Sequence, residues 1–266
     1  MAALTADSIM NRLDVVAPEI TPVIFTAPHN IFLRRDGKPD HKPEDYTSFL
    51  AREFAGSTGG GLLAWSRREI ERSKEYRSNS NDNRPDPTNR DPNYLAKEEL
   101  DDSPWHMTLN ALFSRCLEIH LGQAAVRPGV APQPIMSFDI HGAAGSDIDL
   151  YVGLKAMTQR ETAETSGRCA HFRSSLARDL EMLLAPRGFV AATNAEHRLQ
   201  GAWNEDLNRF TVSQQAARIG FTLVAQIELS RRLRKALHAD AEFRRLFAVG
   251  LLRAGSTASQ EWRNSK

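Results

Sequence analysis

The sequence predicts an α/β fold, a three-layer αβα sandwich built on a mostly parallel central sheet. Three observations carry that prediction. Short apolar runs alternate along the chain with segments of helical periodicity. The apolar runs are continuous rather than alternating, as strands buried on both faces should be. Several of them also stop on polar residues, as strands do where an open α/β sheet presents its ligand-binding edge.

The elements follow in order. Pro22–Ala27 (PVIFTA) is expected to be a buried strand stopped by Pro28. Pro43–Ala55 (PEDYTSFLAREFA) reads as a helix. Proline and two acids occupy its first turn, and Tyr46, Phe49, Leu50 and Phe54 form one apolar stripe. Gly59–Ser66 (GGGLLAWS) gives a second short strand. From about residue 67 to 102 the composition turns polar, rich in Asn, Arg, Asp and Pro, and reads as a long binding loop. Helical spacing returns with Trp105, Leu109, Leu112, Phe113, Cys116 and Leu117. Gln133–Ile140 (QPIMSFDI) is the next strand, and an amphipathic helix marked by Phe172, Leu176, Leu180, Leu183 and Leu184 follows. Gly220–Leu229 (GFTLVAQIEL) is the last central strand, with a closing helix near Ala239–Leu252.

Composition limits the function classes. In 266 residues, 41% are hydrophobic and 25% charged, enough for one domain spanning 1–266 with a substantial core. A net charge of +1 gives no reason to expect nucleic acid or an anionic membrane as a partner. No apolar run suits a signal peptide or a membrane span, so a cytoplasmic location is the expectation. Cys116 and Cys169 sit at apolar positions of helical patterns and are expected to be buried thiols.

Three strands finish on groups able to do chemistry: His29 after the first, His141 after the middle one, Glu228 near the end of the last. Two histidines and a carboxylate are a common zinc set that leaves a position for water or substrate. Glu44 and Asp45 could supply the carboxylate, or could simply cap the helix that follows His29. Asp139, two residues before His141, could orient its imidazole or meet backbone amides. Glu228 could be a general base of raised pKa, or the partner of Arg231 or Arg232. Arg84 and Arg90 could pair with a substrate carboxylate or remain solvated. No H-E-x-x-H motif is present, and no G-x-S-x-G elbow supports a serine hydrolase.

Five segments taken together resemble the N-formylglutamate amidohydrolase family, a zinc-dependent group whose fold resembles that of the zinc exopeptidases. They are APHN, KPEDYTSFLAREF, TNRDPNY, SFDIHGAAG and AQIELSRRLR, in the family's order from about residue 22 to 235. The resemblance implies a zinc ion, or another divalent metal, held by His29, Glu44 and His141. It implies Glu228 as the base that deprotonates water. It also implies Arg90, with Asn89, as the holder of the carboxylate of a small substrate, and Glu196–Trp203 as a substrate loop. The chain departs from the family's pattern at Asn30, Ile31 and Gly142, where the family has small residues, glycine and serine. Two activities remain open here: hydrolysis of an N-acylated amino acid, or catalytically silent binding of a carboxylated metabolite.

Overall fold

The computed structural model describes residues 12–79, 85–126, 132–143, 148–158, 163–192, 201–202 and 208–264. The first half runs β1 (Leu13–Val16), β2 (Val23–Ala27), α1 (Thr47–Thr58), β3 (Gly61–Trp65), α2 (Arg67–Asn79), β4 (Leu95–Ala96) and α3 (Pro104–Val126). There follow β5 (Met136–Ala143), β6 (Leu150–Gly153), the single turn α4 (Lys155–Thr158), α5 (Ala163–Leu184), β7 (Ala191–Ala192) and β8 (Arg209–Phe210). The chain closes with α6 (Val212–Ile219), β9 (Leu223–Ser230), α7 (Arg231–Ala239) and α8 (Ala241–Asn264).

Seven strands form one sheet in the order β1-β3-β2-β5-β9-β6-β7. The central four, β3-β2-β5-β9, are parallel, while β1 and β6 join antiparallel. The fold is therefore the expected α/β sandwich with a mostly parallel sheet. Every residue of β2, β3 and β9 is buried, which explains why they read as unbroken apolar runs. One face is sealed by aromatic rings. Phe25 stacks on Phe138 at 5.6 Å, and Phe54 of α1, Phe247 of α8 and Phe172 of α5 complete the layer. On the other face α3 and α6 pack together, with α6 against β5 and β9. Side chains alternate along a strand, so Phe138 and Ile140 face the aromatic layer while Asp139 and His141 face the α6 side. Register completes the placement: Thr26 lies beside Asp139, and His141 beside Glu228.

The structure differs from the sequence expectation in several places. The helix expected from Pro43 begins at Thr47, because Tyr46 adopts φ 70° and breaks helical continuity before it. Glu44 and Asp45 thus precede the helix, and the Glu44 amide donates to the His29 carbonyl at 2.7 Å. Of the supposed loop at 67–102, Arg67–Asn79 is helical. Pairs three and four residues apart, Glu69–Arg72 and Arg67–Glu71, support that helix where apolar periodicity is faint. The closing helix expected near Ala239–Leu252 is α8, longer at its carboxyl end, and the unexpected α7 precedes it. The two are separated at Asp240, whose carboxylate accepts from the Phe243 amide at 2.9 Å. Strands β1, β6 and β7 and helix α6 had no counterpart in the sequence reading. Cys116 and Cys169 are both buried, as expected, and neither forms a disulfide. Among the described residues no helix is long and apolar enough to cross a membrane.

Candidate metal centre

Parallel pairing of β2, β5 and β9 brings their carboxyl ends to one edge, and a cavity of about 320 Å³ opens there. Its lining includes His29, Arg35, His41, Glu44, His141 and Glu228. His29 follows Pro28, whose carbonyl is pinned by the Trp65 indole N–H at 2.8 Å. Both His29 and His141 are buried.

Each of these imidazoles is gripped from behind by an aspartate. Asp91 Oδ1 lies 3.0 Å from His29 Nε2 and also accepts the Asn93 amide at 2.8 Å. Asp139 Oδ2 lies 2.8 Å from His141 Nε2, and its other oxygen accepts the Thr26 hydroxyl at 2.5 Å. A carboxylate only accepts, so in the neutral imidazole it favours the proton on Nε2 and leaves Nδ1 as a lone pair, although His141 Nε2 also lies 3.0 Å from the Asn93 side-chain amide nitrogen. The two Nδ1 atoms then face one another at 3.0 Å. Glu44 completes the triangle, with Oε1 3.2 Å from His29 Nδ1 and Oε2 3.7 Å from His141 Nδ1.

Three acceptors face one another here, and they draw positive charge between them. Burial pulls both imidazoles down in pKa, but Asp91 and Glu44 raise His29 overall, and Asp139 with Glu44 raises His141 well above its ordinary value. Burial would raise Glu44, yet the histidines hold it well below the usual carboxylate range. Asp91 is likewise held low against its burial by His29 and Arg35. Four-coordinate zinc with bonds of about 2.0–2.1 Å sets its donors roughly 3.3 Å apart, so the observed triangle is the right size.

His41 offers a competing set. His29, His41 and Glu44 place one donor each within 4.8 Å of one another. The rings of His29 and His41, however, stack at 3.8 Å and 26°, and in-plane lone pairs of near-parallel rings do not meet at one ion. His29 and His141 cross at 72°, which lets both point at a common centre. The geometry therefore favours His29, His141 and Glu44, with His41 Nε2 beside Glu44 Oε1 at 3.3 Å. His41 was not singled out from the sequence, where its one signal is His41-Lys42-Pro43-Glu44, a histidine three residues before a carboxylate.

Glu228 reaches the same cavity from β9. Its pKa is raised by burial, with the Glu44 charge adding and His141 opposing. The Gln226 amide donates to its Oε1 at 2.6 Å. The alternative ion pairs are not made: Arg231 pairs with Asp45 at 3.3 Å, and Arg232 with Asp149. Asp45 is thereby drawn to the surface and away from the histidines, so of the two acids considered beside His29 only Glu44 reaches them.

Two expected substrate residues lie elsewhere. Arg90 pairs with Asp36 at 2.7 Å and with Glu99, and lines a different cavity. Asn89 is fully buried, its side-chain carbonyl taken by Arg72 at 2.9 Å and by Arg12. Asp91 caps the tight turn Pro92–Tyr94, which sets Asp91 and Asn93 toward the histidines, while Arg90, one residue earlier, is held by its acidic partners. Arg84 lies outside the described residues, as does most of Glu196–Trp203; Gly201 and Ala202 of that segment line the cavity. The cation the cavity does have is Arg35, whose Nε donates to Asp91 Oδ2. Gly142 donates its amide to Glu44 Oε2 at 2.8 Å. A Cβ at that position would fall 1.5 Å from Arg234 Nη1, so the serine of the resembled family would require the Arg234 guanidinium to move aside.

No family model and no curated protein sequence matches the chain. Among solved structures it is similar to a bacteriophage poly-gamma-glutamate hydrolase at 14% identity, covering 98% of this chain and 97% of that one, with TM-score 0.44. It is similar to N-formylglutamate amidohydrolase from Ralstonia eutropha JMP134 at 14% identity, with coverage of 96% and 99% and TM-score 0.42. A metallo-carboxypeptidase from Burkholderia cenocepacia is similar at 13% identity, with coverage of 94% and 62% and TM-score 0.45. Likenesses of this size do not identify a function, and the functional reading rests on the donor geometry.

Proposed function

We propose that this chain is a metal-dependent hydrolase, with zinc as the ion its donor set suits best. More particularly, we read it as an amidohydrolase of the N-formylglutamate type, cleaving the amide of a carboxylated N-acyl amino acid or small peptide-like substrate. The supporting observation is the pairing of two aspartate-backed imidazoles and Glu44 around one point, with Glu228 on the same cavity and in no direct ion pair among the described residues. Bound there, zinc would polarise the substrate carbonyl and lower the pKa of water toward ~7.

The remaining work falls to side chains. Glu228, raised in pKa by burial, takes the proton of the attacking water and passes it to the leaving nitrogen. Arg35 receives the substrate carboxylate, and Asp91, bonded to both Arg35 and His29, sets the spacing between carboxylate and reacting carbonyl. Glu228 also favours catalysis over silent binding, because a buried carboxyl of raised pKa beside the metal donors suits a general base.

The test is hydrolysis of a panel of N-acyl amino acids, N-formylglutamate first, before and after chelation. Turnover that disappears on metal removal and returns with zinc is expected. Saturable binding of the panel without turnover of any member would leave the silent-binding alternative in its place.

A further inference from the structure

Behind the metal centre lies a second cavity of about 330 Å³, within the usual range for small-molecule sites. The segment Arg90–Asn93 is the wall between the two. Asp91 and Asn93 reach the histidines on one side, while Arg90 and Pro92 line the second cavity on the other. The far wall is aromatic: Trp65 and Trp105 meet edge to face at 5.4 Å and 61°. Leu95 and Pro104 add apolar surface.

Two buried donors at this cavity have no acceptor among the described residues. Trp105 is 3% exposed and its indole N–H is unpartnered, as is Arg12 Nε. Buried donors are ordinarily satisfied, and no matching buried acceptor faces them. The cations here are already used, Arg12 by Glu69 at 2.8 Å and Arg90 by Asp36 and Glu99. Glu98 and Asp102 line the mouth as exposed carboxylates. The surroundings thus reject an anion and offer donors to an uncharged acceptor.

We propose that this cavity is a second ligand site, taking a flat aromatic molecule that bears a carbonyl or hydroxyl acceptor and no negative charge. Its ligand lacks the negative charge of the carboxylated substrate, and the assignment stands whether or not the metal reading does. The ring lies against the Trp65–Trp105 pair, where edge-to-face contact adds to burial, and its acceptor takes the Trp105 N–H.

Benzamide is the probe, with benzoate as its anionic counterpart, titrated into the full-length chain by ligand-observed NMR. The expected result is saturable benzamide binding with Kd on the order of 1 mM, as befits so few atoms, and benzoate weaker by at least about fivefold. Trp105→Phe keeps the ring and should weaken benzamide about three- to tenfold. Leu95→Trp should fill the cavity and abolish binding, with circular dichroism reporting whether that variant folds; Trp105→Phe decides if it does not. Absence of saturation, benzoate binding as tightly as benzamide, or indifference to Trp105→Phe would each overturn the assignment.

Discussion

At the scale of single residues, Glu228 and Arg35 divide the chemistry from the recognition, and each division is measurable. Glu228→Gln keeps the shape and the bond partner Gln226 but removes the base. We expect kcat to fall roughly 10²–10⁴-fold with the metal content unchanged. Near-normal turnover in that variant would contradict the assigned role. Arg35→Gln should raise KM for a carboxylated substrate about tenfold or more while kcat changes little, since the guanidinium binds and does not react. Steady-state kinetics with the carboxylate and with its amide analogue would check this, because the amide should lose little on the same substitution. His29, His141 and Glu228 could be singled out from sequence because each ends a strand, and strand ends of a parallel sheet share an edge. His41 and Asp91 were missed for a physical reason. Their importance lies in what they touch, and a ring stacked on His29 or a carboxylate behind it leaves no periodic mark.

At the scale of elements, α2 and the segment after it show what composition conceals. The stretch 67–102 looks like an unstructured polar run, yet its first third is a helix tied down by charge. Glu69 accepts from Arg12 and Arg72, and Asp86 pairs with Arg72 and accepts the Thr88 amide at 2.8 Å. Burial raises both carboxyls, and these partners outweigh it and hold each below its ordinary range. A depressed folded-state pKa contributes stability that is present above the unfolded value of ~4 and is lost as pH falls through the folded one. Urea midpoints of wild type and Glu69→Gln should therefore differ near neutrality and converge as the pH drops below about 4. A gap that persists unchanged into that range would contradict the account. The same segment explains Arg90. The tight turn that Asp91 caps at Pro92–Tyr94 decides which side chain meets the histidines, and an Asn-Arg-Asp-Pro string does not reveal where that turn begins. The displaced start of α1 has a similar origin, because nothing in KPEDYT announces that Tyr46 takes a left-handed conformation.

At the scale of the whole molecule, the sheet is the device that assembles the site. Residues more than a hundred positions apart become neighbours because β2, β5 and β9 lie side by side and run the same way. The aromatic layer from Phe25 to Phe247 holds that order from one face, leaving the other free to carry Asp139 and His141. This much was legible as α/β alternation, since buried parallel strands announce themselves as apolar runs. The direction of β1 and β6, which join antiparallel, was not, because edge pairing is settled by loops and not by the strands' own composition. The central claim is that one metal ion sits between His29, His141 and Glu44, and metal content of the purified protein tests it most directly. With zinc supplied, the account predicts one equivalent in the wild type, its loss in His29→Ala and His141→Ala, and its retention in His41→Ala. A wild type that stays metal-free, or a site that survives His141→Ala and fails with His41→Ala, would contradict it.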